Sequence, residues 1–230
     1  MLVKKLFEKY RWEQAVVSLG GIFHGQLVYD NSIFYIGVDS GVHHLLRSNI
    51  FPHMVVGDLD SIYYEDLTNL LSENNSYFLI SNWDKDYTDG QKAVEIVKEL
   101  GIKDVMLVGI WGREIDHFMG NLSLFSMYFK CFESMIGYTG IQVLELIEGR
   151  VVRRLKPGTP VSFVPYDDVV ELTLKGLYWE VNHRKFSRAD IPPISNIAIN
   201  DTIVIESVGK VWMIVGRENK PYLLEYLIKR

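Results

Sequence analysis

Two aspartates one residue apart, Asp58 and Asp60, stand in Val55-Val56-Gly57-Asp58-Leu59-Asp60-Ser61-Ile62, directly after a short apolar run. In extended chain, residues i and i+2 point to the same side, so both carboxylates are expected in one small volume. Two anions that close repel each other and need a shared proton, a basic partner or a cation. No Lys or Arg lies between Arg47 and Lys85, so the local sequence offers no basic partner. A divalent metal is the reading to test. For an isolated pair, a solvated acidic turn after a strand is the competing explanation.

The pair is not isolated. Asp39 follows the apolar run Ile33 to Val38, Asp86 and Asp89 follow the run Tyr77 to Ile80, and Asp116 follows the run Val105 to Ile110. Each cluster lies at or just after the end of an expected strand, where open α/β sheets bind their ligands. Asp89 and Asp116 also stand near expected helix N-termini, where the helix dipole favours negative charge. Oxygen donors without clustered His or Cys suit Mg²⁺ held together with substrate phosphates, rather than zinc. Neither a GxxxxGK[ST] loop nor a GxGxxG loop is present, so a nucleotide would rest on metal, basic side chains and loop backbone. Lys85, Arg113 and Arg47 are the candidate phosphate contacts; each could equally be a solvated surface charge.

The elements that must position these residues read as strands alternating with helices. Apolar runs at Ala15–Leu19, Ile33–Val38, His53–Val56, Tyr77–Ile80, Val105–Ile110 and Ile141–Ile147 suggest buried parallel strands. Val42 to Arg47 and Tyr63 to Leu71 have helical spacing. Thr88 and Gln91 form a capping-box pattern, Ala93, Val94, Val97 and Leu100 the stripe of the following helix, and Gly101 its stop. Ile115, Phe118, Met119, Leu122, Phe125 and Phe129 give the stripe of the next helix. Beyond about Gly149 the helical spacing disappears. Short runs at Pro160–Pro165, Val169–Leu174, Asn200–Glu206, Val211–Val215 and Tyr222–Ile228, with turn residues between them, predict a small antiparallel sandwich or barrel. The fold class is α/β: a parallel, Rossmann-like domain over residues 1–150 and a β-rich domain over 151–230.

Composition bounds the rest. The 230 residues are 48% apolar, enough for a substantial core, and the net charge of −5 argues against a nucleic-acid-binding face. The single cysteine, Cys131, excludes a disulfide framework and is expected as a small core residue. No apolar run approaches a membrane-spanning length and the N-terminus lacks a signal pattern, so a cytoplasmic protein is the expectation.

Taken together the motifs resemble the thiamine pyrophosphokinase family. They stand in that family's order: Asp39-Ser40-Gly41, Gly57-Asp58-Leu59-Asp60-Ser61-Ile62, Lys85-Asp86-Tyr87-Thr88-Asp89, then Gly112-Arg113-Glu114-Ile115-Asp116-His117 with Asn121. Ser195-Asn196 and Trp212 carry the likeness into the β-rich part. The resemblance implies a catalytic α/β domain that binds ATP and Mg²⁺, a β-rich domain that helps bind thiamine, and a homodimer with sites at its interface. The thiamine hydroxyl would attack the β-phosphorus of ATP, with AMP leaving. Asp58, Asp60, Asp89 and Asp116 would surround metal and pyrophosphate, with Asp58, Asp60 and Asp89 as metal ligands. Asp39, Lys85, Asp86, Arg113 and Asn121 would contact the nucleotide. Ser195 and Asn196 would sit near the thiamine pyrimidine, and Trp212 would stack on its rings, where cation–π attraction contributes roughly 0.5–2 kcal/mol. The sequence departs from the family at Ser40, His43 and Gly90, and its Trp111-Gly112-Arg113-Glu114 run shifts the arginine by one position. That leaves two alternatives open: pyrophosphoryl transfer to another alcohol such as a hydroxymethylpterin, and a non-catalytic nucleotide or thiamine sensor.

Overall fold

The computed structural model describes residues 10–72, 76–81, 84, 86–112 and 114–216. The chain divides into two compact units, one ending at Gly140 and one beginning at Ile141.

The first unit is built on six strands: β1 (Gln14–Ser18), β2 (Ile33–Val38), β3 (Met54–Gly57), β4 (Tyr77–Ile80), β5 (Asp104–Val108) and β6 (Ser134–Tyr138). Their order is β6-β5-β1-β2-β3-β4 and each pairing is parallel. The central strands are continuous apolar runs because both faces are covered: Val17, Phe34, Ile36, Val55 and Leu107 are fully buried. The chain runs outward from β1 to β4, then returns to the other side of β1 for β5 and β6. That reversal makes β1/β5 the switch point of the sheet, the place where α/β folds open a crevice at the strand C-termini.

Helices α1 (Val42–Leu46), α2 (Tyr64–Ser72), α3 (Asp89–Glu99) and α4 (Ile115–Tyr128) accompany these strands. In α3 the Thr88 hydroxyl accepts the Gln91 N–H at 3.1 Å, and Ala93, Val94 and Val97 form the buried stripe. Half of the expected capping box forms, because the Gln91 side chain reaches forward to Glu95 (3.2 Å). In α4 the expected stripe is wrong in part. Leu124, Phe125 and Tyr128 are buried, whereas Ile115 and Met119 are 80% and 58% exposed. This helix is apolar around most of its circumference, so its period does not select a face.

The run Ile141–Ile147, expected as the sixth parallel strand, is not one. The sixth parallel strand is β6, five residues interrupted by Gly137, and the later run opens the second unit as the start of β7 (Val143–Arg154). Cys131 is likewise not a core residue: it is exposed in the 3₁₀ turn Phe129–Cys131.

The second unit continues with β8 (Pro160–Pro165), β9 (Val169–Lys175), β10 (Val181–Ser187), β11 (Asn196–Ile197) and β12 (Thr202–Val215), and its pairings are antiparallel. The runs at Asn200–Glu206 and Val211–Val215 are two halves of one strand. β12 pairs with β7 along both halves, with β9 through 204–208 and with β8 through 211–215. The register shifts between Ser207 and Val211, around Gly209 at φ 93°, so one strand can serve two neighbours. β10 escapes a periodicity reading because Asn182 to Lys185 are exposed in sequence. The run Tyr222–Ile228 lies outside the described residues.

Candidate active site

A cleft of about 610 Å³ opens in the first unit, and the acidic clusters meet in it. Asp39, Asp58, Asp60, Asp89, Asp116 and Asn121 all line it. Asp39 comes from the turn after β2, Asp58 and Asp60 from the loop after β3, Asp89 from the start of α3 and Asp116 from the start of α4.

Asp58 and Asp60 face one another, but not through extended chain as their spacing suggested. β3 ends at Gly57, whose φ is 142°, and Leu59 is left-handed at φ 68°. The Asp60 N–H donates to Asp58 Oδ1 at 3.3 Å, so a tight turn brings the carboxylates together. The hydrogen bond shared with Asp58, and then the repulsion of that second carboxylate, hold the Asp60 carboxyl above its ordinary value. A cation would relieve the same repulsion. The aspartates offer oxygen donors, which fit a hard divalent ion.

The loops are tied to one another. The Ser40 N–H donates to Ser61 Oγ at 3.0 Å, joining the Asp39 turn to the Asp58/Asp60 loop. Ser61 therefore has a structural task inside the motif. The Ser18 hydroxyl donates to Gly41 O at 2.7 Å, and a Cβ on Gly41 would lie 2.0 Å from Ser18 O, so that glycine permits the close approach. Asp39 is itself left-handed at φ 46°, and a Cβ on Gly57 would lie 1.5 Å from Asp39 Oδ1. In α4, the Asn121 amide donates to Ile110 O at 3.0 Å, and Asp116 Oδ1 accepts the His117 N–H at 2.8 Å.

Not every expected residue joins this group. Asp86 is exposed in the bend before Thr88 and does not line the cleft. Lys85 and Arg113 lie outside the described residues. Arg47 lines a neighbouring recess, with a terminal nitrogen 2.5 Å from His44 Nδ1. Ser195, Asn196 and Trp212 lie in the second unit. Ser195 is exposed and left-handed at φ 55°. Asn196 is 1% exposed, and its amide holds a chain corner: it accepts the Trp179 and Ile197 N–H groups and donates to Trp179 O. Trp212 is 7% exposed, edge-on to Tyr166 at 5.8 Å.

Some site residues had not been singled out from the sequence. Glu114 and His117 line the cleft beside Asp116, and the three can bring one ligand atom each within 4.8 Å of one another. Their i, i+2, i+3 spacing at a helix start was the available signal. His43 Nδ1 pairs with Asp66 Oδ2 at 2.7 Å, a contact between α1 and α2 that no local pattern announces.

The fold and site define a class: a parallel α/β unit with carboxylates gathered at its strand C-termini, followed in the chain by an antiparallel β unit. Residues 26–136 match the thiamin pyrophosphokinase catalytic domain and residues 150–212 the thiamin pyrophosphokinase vitamin B1 binding domain. A thiamine pyrophosphokinase of Bacillus subtilis is 27% identical over 182 residues, covering 74% of this chain and 81% of that protein. A crystal structure of thiamine pyrophosphokinase from Bacillus subtilis superposes with a TM-score of 0.79 at 22% identity, over 89% of this chain and 98% of the other. The thiamin pyrophosphokinase of Geobacillus thermodenitrificans gives 0.78 at 24% identity, over 90% and 99%. At such identities the structural likeness speaks for the fold. The chain belongs to the thiamin pyrophosphokinase family.

Proposed function

We propose that this chain is an ATP-dependent thiamine pyrophosphokinase, which moves the pyrophosphoryl group of ATP onto the thiamine hydroxyl and releases AMP. The observation that carries the reading is the meeting of Asp39, Asp58, Asp60, Asp89 and Asp116 in one cleft of a chain that matches both family domains. The hydroxyl oxygen forms a bond to the β-phosphorus, and the bond from that phosphorus to the bridging oxygen of the α-phosphate breaks. Such transfers build charge on phosphate oxygens, and the protein contributes mostly position and charge compensation. Mg²⁺ bound among Asp58, Asp60 and Asp89 would neutralise phosphate charge. Asp116 would join them around the pyrophosphate, and Asp39 and Asn121 would contact the nucleotide. The hydrogen bond from Ser40 to Ser61 keeps two of the carboxylate loops in fixed relation.

In this reading the Rossmann-like part, residues 1–150, handles ATP and metal, and the β-sandwich or barrel of 151–230 handles thiamine through Ser195, Asn196 and Trp212. Lys85, Asp86 and Arg113 would serve the phosphates. A homodimer would carry its sites at the interface, and the cytoplasm would be the site of action. Among described residues no helix is long and apolar enough to cross a membrane. The vitamin B1 binding match favours thiamine over a pterin alcohol. Incubation with ATP, Mg²⁺ and a panel of alcohols, followed by chromatography, should yield AMP and thiamine diphosphate. AMP release with a pterin alcohol alone, or no release with any, would overturn the assignment.

A further inference from the structure

Five glycines line the acidic cleft: Gly20, Gly21, Gly90, Gly112 and Gly120. Four of them have a reason in the chain itself. A Cβ on Gly20 would lie 2.7 Å from Ser40 Oγ, and one on Gly21 would lie 2.3 Å from Gly109 O. Gly112 is left-handed at φ 87°. Gly90 lies where α3 comes close to Leu19 and Leu124, whose methyl carbons would stand 3.2 and 3.4 Å from a Cβ. Gly120 has none of these reasons. It is exposed within α4 and its φ is not positive. Apart from its chain neighbours and its own helix backbone, a Cβ there would meet no heavy atom of the described residues within 4 Å. Glycine inside a helix costs stability relative to alanine, because it loses more conformational freedom on folding. Among the described residues nothing offsets that cost at Gly120.

Its neighbours show what the gap faces. Asp116, His117, Gly120 and Asn121 line the cleft at spacings i, i+1, i+4 and i+5, which is one continuous face of α4. In an α-helix the Cα–Cβ bond tilts toward the N-terminus, so a side chain at 120 would lean over the preceding turn, toward Asp116. We propose that Gly120 is a specificity-determining position, whose missing side chain keeps open the clearance in which a metal-bound polyphosphate sits against α4. The proposal rests on the part of the pyrophosphokinase reading that puts Mg²⁺ and phosphate in this cleft. A tetrahedral phosphoryl group carrying a metal ion is bulky, and it can stand in front of Asp116 only when the turn behind that carboxylate carries no side chain. The bare helix face gives up stability in exchange for substrate room.

The test pairs thermal melting of the ligand-free full chain with its equilibrium binding of Mg·tripolyphosphate. Gly120→Ala should melt about 2–4 °C higher than the wild type, because the helix gains a better former, and yet bind Mg·tripolyphosphate more weakly. Gly120→Leu should weaken binding about 10-fold or more, the effect of forcing extra methylenes into occupied space. Ser123→Leu is the control: Ser123 is exposed on the same helix and does not line the cleft, so that variant should bind as the wild type does. A purely structural glycine would lower melting temperature and affinity together, whereas clearance for a ligand moves them in opposite directions. Wild-type affinity in Gly120→Leu, an equal loss in Ser123→Leu, or Gly120→Ala melting below the wild type would overturn the proposal. So would a wild-type chain that does not bind Mg·tripolyphosphate. The expected binding pattern in a chain that releases no AMP from ATP with any alcohol would instead overturn the pyrophosphokinase reading and leave the clearance standing.

Discussion

Gly57→Ala isolates one steric demand of the site. The glycine sits at φ 142°, and a Cβ there would lie 1.5 Å from Asp39 Oδ1 and 2.4 Å from its Cγ. Asp39 Oδ1 is buried, and Asp39 is already left-handed at φ 46°, so it has little room to yield. A non-glycine residue in such a conformation costs about 1–3 kcal/mol, and forcing an extra methyl into packed surroundings costs a similar amount. Gly57→Ala is therefore expected to lose about 2–6 kcal/mol in urea unfolding, within the stability of a typical domain. Asp39→Ala removes the obstructing carboxylate. In the double variant the steric part of the penalty should vanish, giving a coupling of about 1–3 kcal/mol in a double-mutant cycle while the backbone part persists. Additivity within about 0.5 kcal/mol would refute the idea that Gly57 is required by the Asp39 carboxylate.

Two other expectations concern other parts of the chain. Asn196→Ala leaves the Trp179 N–H and C=O and the Ile197 N–H without their partner, and should destabilise the second unit by about 1–3 kcal/mol in denaturant unfolding followed by near-UV circular dichroism; a loss below about 0.5 kcal/mol would contradict the clamp. His53 lies among Trp12, Phe34 and Tyr35, its Nδ1 accepting the Tyr35 N–H at 3.0 Å, and burial lowers its pKa from 6.5. The unfolded chain then binds the proton first, so this contribution is complete above about pH 6.5 and is lost as pH falls below it. The wild-type chain should lose stability between about pH 7 and 5 relative to His53→Gln, and parallel pH profiles would refute this.

Much of the first unit was legible because its central strands are buried on both faces and so are written as apolar runs. The aspartates were legible for the same reason: a parallel sheet delivers its strand C-termini to one edge, so Asp39, Asp58, Asp60 and Asp116 could be placed together without tertiary information. What failed was what depends on long-range contacts. Gly137 hid β6, the apolar circumference of α4 hid its true inner face, and the bend at Gly209 made one strand look like two. The His43–Asp66 pair joins two helices across 23 positions, beyond any local pattern. Asn196 was recognisable as a motif residue, but its buried clamp on Trp179 depends on a pairing of segments 17 positions apart.

The most direct test of the proposed metal–phosphate cleft is the product ratio of wild-type chain and Asp58→Asn with ATP, Mg²⁺ and thiamine. The wild-type chain should release AMP and thiamine diphosphate in equal amounts. Asp58→Asn should melt like the wild type and turn over about 100-fold or more slowly, as expected when a charge that organises the transition state is removed. Formation of ADP and thiamine monophosphate, or wild-type turnover by Asp58→Asn, would contradict it.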